Sequence, residues 1–316
     1  LSSPQSRGLV AVMQKAYSIK DGSVKAVQVE SSEVLVFVNP TIEEKDILIG
    51  NHNIDSHTLQ SALDPDEQSR LEFEPDHAAI ILKRPQNYSG GEQFLFKVSS
   101  LGLFLYSDRL IVVMLEEVTL FDGKMFLRVH SLRDLVLKLI LRTIYHYLDH
   151  LKVINMISES LEQKINEAMK NKYLINLFTL EKSLVYYLNA INSNAYVIER
   201  IRHNRDRFAF TGENMEMIDD ILIENTQCQK QAEIYSNILA GLMDARVSIV
   251  SNNLNILMKT LNLITIGIMV PTFIVSAFSM NVDIPIQEHP LAFWIIMGMA
   301  LVSVVVFMIL WRFKRW

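Results

Sequence analysis

Cysteine is almost absent from this chain of 316 residues, and Cys228 is the single example, so the sequence has no internal disulfide framework. It also has no glycine-rich phosphate loop, no His/Cys metal cluster and no recognisable nucleophile motif. The basic run IERIRHNRDR (198–207) lacks interleaved aromatic residues, and the formal net charge is −5. We therefore predict that the protein is not an enzyme, uses no organic cofactor and binds no nucleic acid.

Charged residues are missing from two stretches near the end of the chain. No Asp, Glu, Lys or Arg occurs in the 23 residues 260–282 or in the 22 residues 290–311. A membrane-spanning helix needs roughly 20 apolar residues, and the core helices of soluble proteins rarely lose every charge over such a length. The pattern predicts two transmembrane helices joined by a tight hairpin, with the lipid bilayer as a partner.

Basic residues are also absent from the loop SMNVDIPIQEHP between the two runs, whereas Arg312, Lys314 and Arg315 follow the second run. Basic flanks stay on the cytoplasmic side of a membrane. We expect a multi-pass protein of the cell inner (plasma) membrane with both termini in the cytoplasm.

The remaining sequence changes pattern near residue 131. Before it, short runs of β-branched and aromatic residues predict strands at 32–40, 77–84, 93–98 and 110–117, and after it apolar residues recur every three or four positions, which predicts helices. The fold class predicted is an α+β cytoplasmic domain followed by long helices and two transmembrane helices. Its predicted parts are an α/β domain (1–130), a helical hairpin (131–212), a stalk helix (213–256), a first transmembrane pore helix (257–281), a periplasmic loop (282–290), a second transmembrane helix (291–312) and a basic cytoplasmic tail (313–316).

The stalk and the first transmembrane helix form one uninterrupted pattern. Pro271 is the only proline between residues 213 and 279, and it lies inside the membrane run, where a proline kink is tolerated. The predicted helix is on the order of 100 Å long. A rod of this length cannot bury itself in one small domain, so we expect partner rods and hence an oligomer.

A stripe of mostly polar or small residues follows one face of the first transmembrane helix at steps of three and four. Its members are Asn262, Thr265, Met269, Thr272, Ser276 and Ser279, extended backwards by Met258 and Asn255, with Leu261 at its edge. The other faces carry mostly Ile, Leu, Val and Phe. Such a stripe either packs helices together or lines a narrow polar path around a shared axis, and the two interpretations are compatible.

The chemistry of the stripe indicates which solute such a path could accept. It contains no carboxylate and no basic residue, so it cannot strip the water from a divalent cation by charge. Mg²⁺ holds its waters tightly, and hydroxyl, carbonyl and amide groups could hold the hydrated ion through its water shell. Met269 and Leu261 would form apolar constrictions of the kind that gate by dewetting.

The stretches GLMDARVSIVSNNLNILMKTL and PTFIVSAFSMNV, followed by a second span with a basic end, resemble the CorA family of divalent-cation transporters. The order of parts matches over essentially the whole chain. The resemblance implies a funnel-shaped homopentamer. The family signature Gly-Met-Asn reads Ser279-Met280-Asn281 here, and the resemblance implies that Met280 and Asn281 form a selectivity mouth contacting hydrated Mg²⁺. The loop acids Asp283 and Glu288 would attract cations electrostatically.

The resemblance also implies regulatory Mg²⁺ between the cytoplasmic domains of neighbouring protomers, which clamps the stalks and closes the pore. By its spacing from GLMD, Asp220 matches the stalk acid of that metal site. The partner position falls near Ser61, which is not a carboxylate, so either Asp64 or Asp66 substitutes for it or the gate is lost or altered. A solvated helix face is the alternative for Asp219 and Asp220.

We therefore expect a gated membrane channel or transporter for hydrated divalent cations, with Mg²⁺ as its substrate and also its regulator. Ser279 in place of glycine leaves two alternatives open. One is a transporter of the same family for Zn²⁺, Ni²⁺, Co²⁺ or Cd²⁺, and the other is a non-conducting pentameric scaffold or sensor. His146 and His150 are not part of the CorA resemblance. They share a helix face at a spacing that can hold a metal, but we interpret them as an ordinary helix surface.

Overall fold

The computed structural model describes residues 14–88, 94–167, 171–282, 286 and 288–314. The chain divides into two compact units, Leu1–Met243 and Asp244–Trp316. The strands are β1 Gln14–Lys20, β2 Ser23–Ala26, β3 Val34–Val38, β4 Arg70–Phe73, β5 His77–Pro85, β6 Val98–Tyr106 and β7 Leu110–Met114. The α-helices are α1 Ile42–Gly50, α2 Ser56–Leu63, α3 Leu132–Glu167, α4 Asn171–His203, α5 Arg205–Phe208, α6 Gly212–Ala277 and α7 Ala292–Lys314.

The seven strands form one sheet in the order β2-β1-β3-β7-β6-β5-β4, in which only β3 and β7 pair in parallel. The central strands are buried on both faces, because a core lies on each side of the sheet. Successive side chains of a strand point to opposite sides, so they join different cores. On β5, Ile80 and Leu82 join the core beneath α3 and α4, while Ala79 and Ile81 join the smaller core beneath α1 and α2. This is why β5 is apolar at consecutive positions.

A buried amide fastens α4 to the sheet. Asn194 donates its Nδ2–H to the carbonyl of Lys83 at 2.7 Å, and its Oδ1 accepts from the Lys83 amide and from the Ser69 hydroxyl, both at 2.8 Å. Both polar atoms of this side chain therefore have hydrogen-bond partners within the protein, as buried polar atoms usually do. The contact fixes the register of α4 against β5.

The sequence prediction of a strand at 93–98 is wrong, because β6 begins only at Val98. Phe96, in the segment just before β6, instead attaches this segment to helix α4. The Phe96 amide donates to the Ser183 hydroxyl at 3.0 Å, and the Phe96 ring stacks on Tyr88 with centroids 4.2 Å apart. Within β6, a Cβ at Gly102 would lie 2.6 Å from the Ala62 Cβ on α2, so only glycine allows this close approach.

The unit Asp244–Trp316 contains the end of α6 and all of α7, the two helices that are long and apolar enough to cross a membrane. They pack through small residues, as transmembrane helices commonly do. A Cβ at Gly267 would lie 3.2 Å from the Phe307 ring, and Ala300 is the buried residue on the facing side of α7. The side chains of α6 that turn away from α7 are exposed.

The Gly267 contact generates a prediction for stability. We expect Gly267→Leu to lower the melting temperature of the detergent-solubilised protein, because overpacking costs about 1–3 kcal/mol. Gly298→Leu is the matched control, since a Cβ there meets nothing within 4 Å. Equal melting temperatures for the two variants would show that close packing at Gly267 does not stabilise this helix pair.

Candidate ion pathway on the long helix

Helix α7 covers one face of the apolar end of α6. The α6 residues that it partly covers include Leu263, Gly267 and Ile274. At about 100° per residue, the polar stripe predicted from the sequence lies about 180° around the helix from that face. The stripe is therefore on the side that the chain itself leaves open.

All predicted members of the stripe are exposed within the single chain. Their positions on the open side of α6 are Asn255, Met258, Leu261, Asn262, Thr265, Met269, Thr272 and Ser276, followed by Ser279 just past the last helical residue, Ala277. The two apolar gate positions, Leu261 and Met269, are 64% and 63% exposed. The stripe therefore needs either solvent or another surface to cover it.

Three hydroxyl groups of the stripe donate to backbone carbonyls of α6. Thr265 donates to the carbonyl of Leu261 at 2.9 Å, Thr272 to Ile268 at 2.7 Å and Ser279 to Ser276 at 2.8 Å. A hydroxyl has one proton and two lone pairs, so each of these oxygens offers only acceptor sites to the outside. These three hydroxyl oxygens form a row of uncharged hydrogen-bond acceptors along the stripe.

Acceptors of this kind match the outer surface of a hydrated divalent cation. The water molecules around Mg²⁺ point their oxygens at the ion and their hydrogens outward, and the ion gives them up reluctantly. Such waters donate hydrogen bonds and accept few. A back-bonded threonine can receive them without turning its own proton toward the ion.

The outer end of the stripe is non-helical. Met280 and Asn281 follow the end of α6 and are exposed. The C-terminal end of a helix carries a partial negative charge, which favours a cation at this place. Of the two loop acids, Glu288 is exposed, and Asp283 lies outside the described residues.

A protein-family model for the CorA-like Mg²⁺ transporter protein matches residues 35–315 of the chain. The chain belongs to the CorA family. Its members are ion transporters, and the structure described here has the membrane helices and the α+β fold that the sequence predicts.

Named relatives agree with this assignment. The cobalt/magnesium transport protein CorA of Methanocaldococcus jannaschii is 24% identical over 94% of this chain and 97% of its own. The complete structure of that archaeal CorA superposes with a TM-score of 0.80 at 22% identity, over 96% of this chain and 98% of its own. The full-length CmaX protein has a TM-score of 0.70 at 16% identity, over 96% and 97%. The two structural likenesses show a shared fold.

Asp220, the predicted regulatory acid of the CorA stalk, is exposed on α6. Its neighbour Asp219 forms an ion pair with Arg202 of α4, with the Arg202 Nε and Asp219 Oδ1 3.0 Å apart. Asp219 is therefore paired with Arg202, and the exposed Asp220 is the neighbouring acid that could bind a metal ion. Within the described residues of the single chain, no group of three or more His, Cys, Asp or Glu side chains could hold a metal ion.

The predicted partner region around Asp64 contains the buried amino group of Lys83. Lys83 donates to the carbonyls of Asp64 and Pro65 at 3.0 and 2.8 Å and to the Ser100 hydroxyl at 2.8 Å. Burial lowers the pKa of Lys83 to about 8. Ser61 is buried, and it accepts a hydrogen bond from Arg70 at 2.8 Å. A metal ion at Asp64 would have to bind close to the Lys83 ammonium.

The histidine pair differs from the sequence interpretation. His150 is buried and hydrogen-bonded to the Tyr187 hydroxyl of α4 at 2.7 Å, and its ring contacts that of the half-buried His146 at 4.5 Å. The surface interpretation of these residues is wrong, because α4 and the sheet cover this face of α3. Sequence reasoning also missed Lys83 and Arg84, two basic residues buried on β5, since a strand pattern does not show which charges lie inside.

The acceptor row generates a prediction for transport. We expect Thr272→Val to reduce divalent-cation flux in reconstituted vesicles about tenfold, because it replaces one acceptor oxygen by a methyl group without changing volume. Thr260→Val is the matched control. Thr260 is exposed on the same helix and donates in the same way, to the Ile256 carbonyl at 2.9 Å, but lies outside the stripe. Equal flux through both variants would remove the stripe from the pathway.

Proposed function

We propose that this protein is a homopentameric, gated channel of the inner membrane that conducts hydrated divalent cations, with Mg²⁺ as its main substrate. The observation that carries the proposal is the row of back-bonded hydroxyls on the open face of α6. Membership of the CorA family and the likeness to an archaeal cobalt/magnesium transport protein support the class of substrate.

An oligomer follows from the physical chemistry of that face. Lipid tails can cover the apolar sides of α6 and α7, but they offer nothing to a line of hydroxyl and amide groups. Copies of α6 arranged around an axis would turn every stripe toward a common, water-filled centre. Five copies are the number that the CorA resemblance implies.

The preference for a hydrated ion follows from what the path contains. Neither a carboxylate nor a basic residue occurs from Thr260 to Val282. The nearest formal charges at the outer end are Asp283 and Glu288, which would concentrate cations at the mouth without holding them. Asn281 and Met280 would then contact the incoming ion through its water shell. The basic residues at the end of the second apolar run, Arg312, Lys314 and Arg315, support a cytoplasmic location for both termini.

Regulation by Mg²⁺ forms a second part of the proposal. Asp220 is the exposed stalk acid that would bind a regulatory ion between protomers, with Asp64 as the acid nearest to the expected partner position. Because Lys83 lies against the Asp64 carbonyl, we expect this ion to bind weakly, and the channel to close only at high cytoplasmic Mg²⁺.

The mouth can be tested directly by Asn281→Ala. We expect this variant to lose or deregulate Mg²⁺ flux in reconstituted vesicles, because the methyl group cannot accept from the water shell of the ion. Asn252→Ala, on α6 but outside the stripe, is the control for removing an exposed amide.

Flux of Mg²⁺, Co²⁺, Ni²⁺, Zn²⁺ and Cd²⁺ through the wild-type protein should be compared in the same vesicles. Selectivity for Mg²⁺ supports the proposed substrate, whereas a preference for Zn²⁺ or Cd²⁺ would transfer the proposal to those ions. An intact pentamer that conducts none of the five would contradict the channel and support a scaffold. Unchanged flux and selectivity in Asn281→Ala would exclude Asn281 from the mouth.

A further inference from the structure

A buried arginine in the cytoplasmic unit lacks hydrogen-bond partners. Arg84, on β5, is 4% exposed, and its Nε and Nη2 atoms make no hydrogen bond. The nearest acid is Glu116, whose Oε2 lies 3.6 Å from Nη2, beyond hydrogen-bonding distance. A guanidinium cannot be deprotonated in a protein, and a buried charged donor without an acceptor is costly. This position therefore calls for an acceptor that the chain itself does not supply.

Arg84 lines a small cavity between the sheet and helix α3. The cavity has a volume of about 100 Å³, and α3 contributes Leu139, Arg142, Thr143 and His146 to its wall. These residues are spaced i, i+3, i+4 and i+7, so they share one face of the helix. Asn87, which follows β5, and Thr119, which follows β7, add an amide and a hydroxyl.

The charges around this cavity are mainly positive. Arg142 joins Arg84, and among the described residues no carboxylate forms an ion pair with Arg142. Burial, together with His150, Arg84 and Arg142, lowers the pKa of His146 to about 4, and the nearby Asp149 opposes this shift. The acids in the neighbourhood, Glu116 and Asp149, do not line the cavity. Two arginines thus line one cavity that is partly open to solvent.

We propose that this cavity, the Arg84 cavity, is a binding site for a small tetrahedral oxyanion such as phosphate. Planar guanidinium groups bind phosphate oxygens through paired, charge-assisted hydrogen bonds, and here two of them face one space. The Asn87 amide and the Thr119 hydroxyl supply uncharged donors beside them. Thr143 donates its proton to the Leu139 carbonyl at 2.9 Å, so it offers only an acceptor, which suits the protonated oxygen of hydrogen phosphate.

The size of the cavity limits the ligand to one phosphoryl group. A volume of about 100 Å³ is well below the roughly 300–1,000 Å³ of pockets that enclose drug-sized ligands. The bound group is then either free inorganic phosphate or the terminal phosphoryl of a larger molecule that extends into solvent. Both sources share the chemistry that the two arginines recognise, and experiment can separate them.

The proposal is tested by calorimetric titration of the full-length protein in nanodiscs with inorganic phosphate and, separately, with metal-free ATP. We expect saturable binding at one site per chain and a rise in melting temperature with ligand concentration. Arg142→Gln should weaken binding about tenfold, since a hydrogen bond to a charged group is lost. This side chain is only partly buried, so the variant should fold.

Arg109→Gln is the matched control, because it removes one positive charge from an exposed arginine that pairs with Asp108 at 2.9 Å, away from the cavity. This comparison also separates binding from the general stabilisation that phosphate salts give to folded proteins.

Binding of phosphate itself identifies the free anion, and Arg142-dependent binding of ATP alone identifies a phosphoryl group of a larger ligand. Absence of saturable binding by either probe, or equal binding by both variants, would overturn the site. The binding measurement does not require ion transport, so its result is independent of whether the protein is a channel.

Discussion

A hydroxyl group cannot be left unpaired in hydrocarbon, and this constraint organises the membrane unit. Thr265 and Thr272 satisfy their protons by bonding back to carbonyls of α6, which leaves acceptor lone pairs on one face only. Helix α7 then covers the opposite face, where Gly267 allows the Phe307 ring to approach closely. Within the described residues, the remaining polar face is exposed. In the proposed oligomer, water around a common axis of several chains would satisfy this face, and a hydrated cation brings such water with it.

Two adjacent buried cations on β5, in the unit Leu1–Met243, have different surroundings. Lys83 and Arg84 point to opposite faces of the sheet, as neighbouring strand residues must. Lys83 is fully satisfied by two carbonyls and a hydroxyl, so it fastens the segment after α2 to the sheet. The acid nearest to Arg84, Glu116, lies 3.6 Å away, and the Nε and Nη2 atoms of Arg84 make no hydrogen bond. Lys83 stabilises the fold, and Arg84 is the residue on which the proposed oxyanion site depends.

The membrane helices were predictable because the absence of charge over 23 and 22 residues is a strong and local signal. The strands that coincide with continuous apolar runs, β5 and β7, were predictable for the same reason. Strand β6 was missed because its serines and Gly102 weaken the pattern, and Gly102 is there for contact with Ala62, a residue distant in sequence. The stripe on α6 was visible from its spacing alone. Its position relative to α7 was not, since helix pairing depends on side-chain packing.

The burial of His150 and Arg84 could not be predicted either, because it depends on α4 and α3 covering the sheet. Periodicity along one helix does not show what another element places against it. Such buried charges and imidazoles can be identified only when burial and hydrogen-bond partners are known, and Arg84 is the one that suggests a binding site in the unit Leu1–Met243.

The account depends on the stripe of α6 facing water within the membrane, and thiol accessibility measures this most directly. Cys228 is buried, and burial raises its pKa to about 12, so the native thiol should not react. Thr272→Cys and Val305→Cys, the latter on the side of α7 turned away from α6, should be treated in vesicles with a charged, membrane-impermeant thiol reagent. The account predicts that Thr272→Cys is modified and loses cation flux, while Val305→Cys remains unmodified. Modification of Val305→Cys with an inert Thr272→Cys would contradict it.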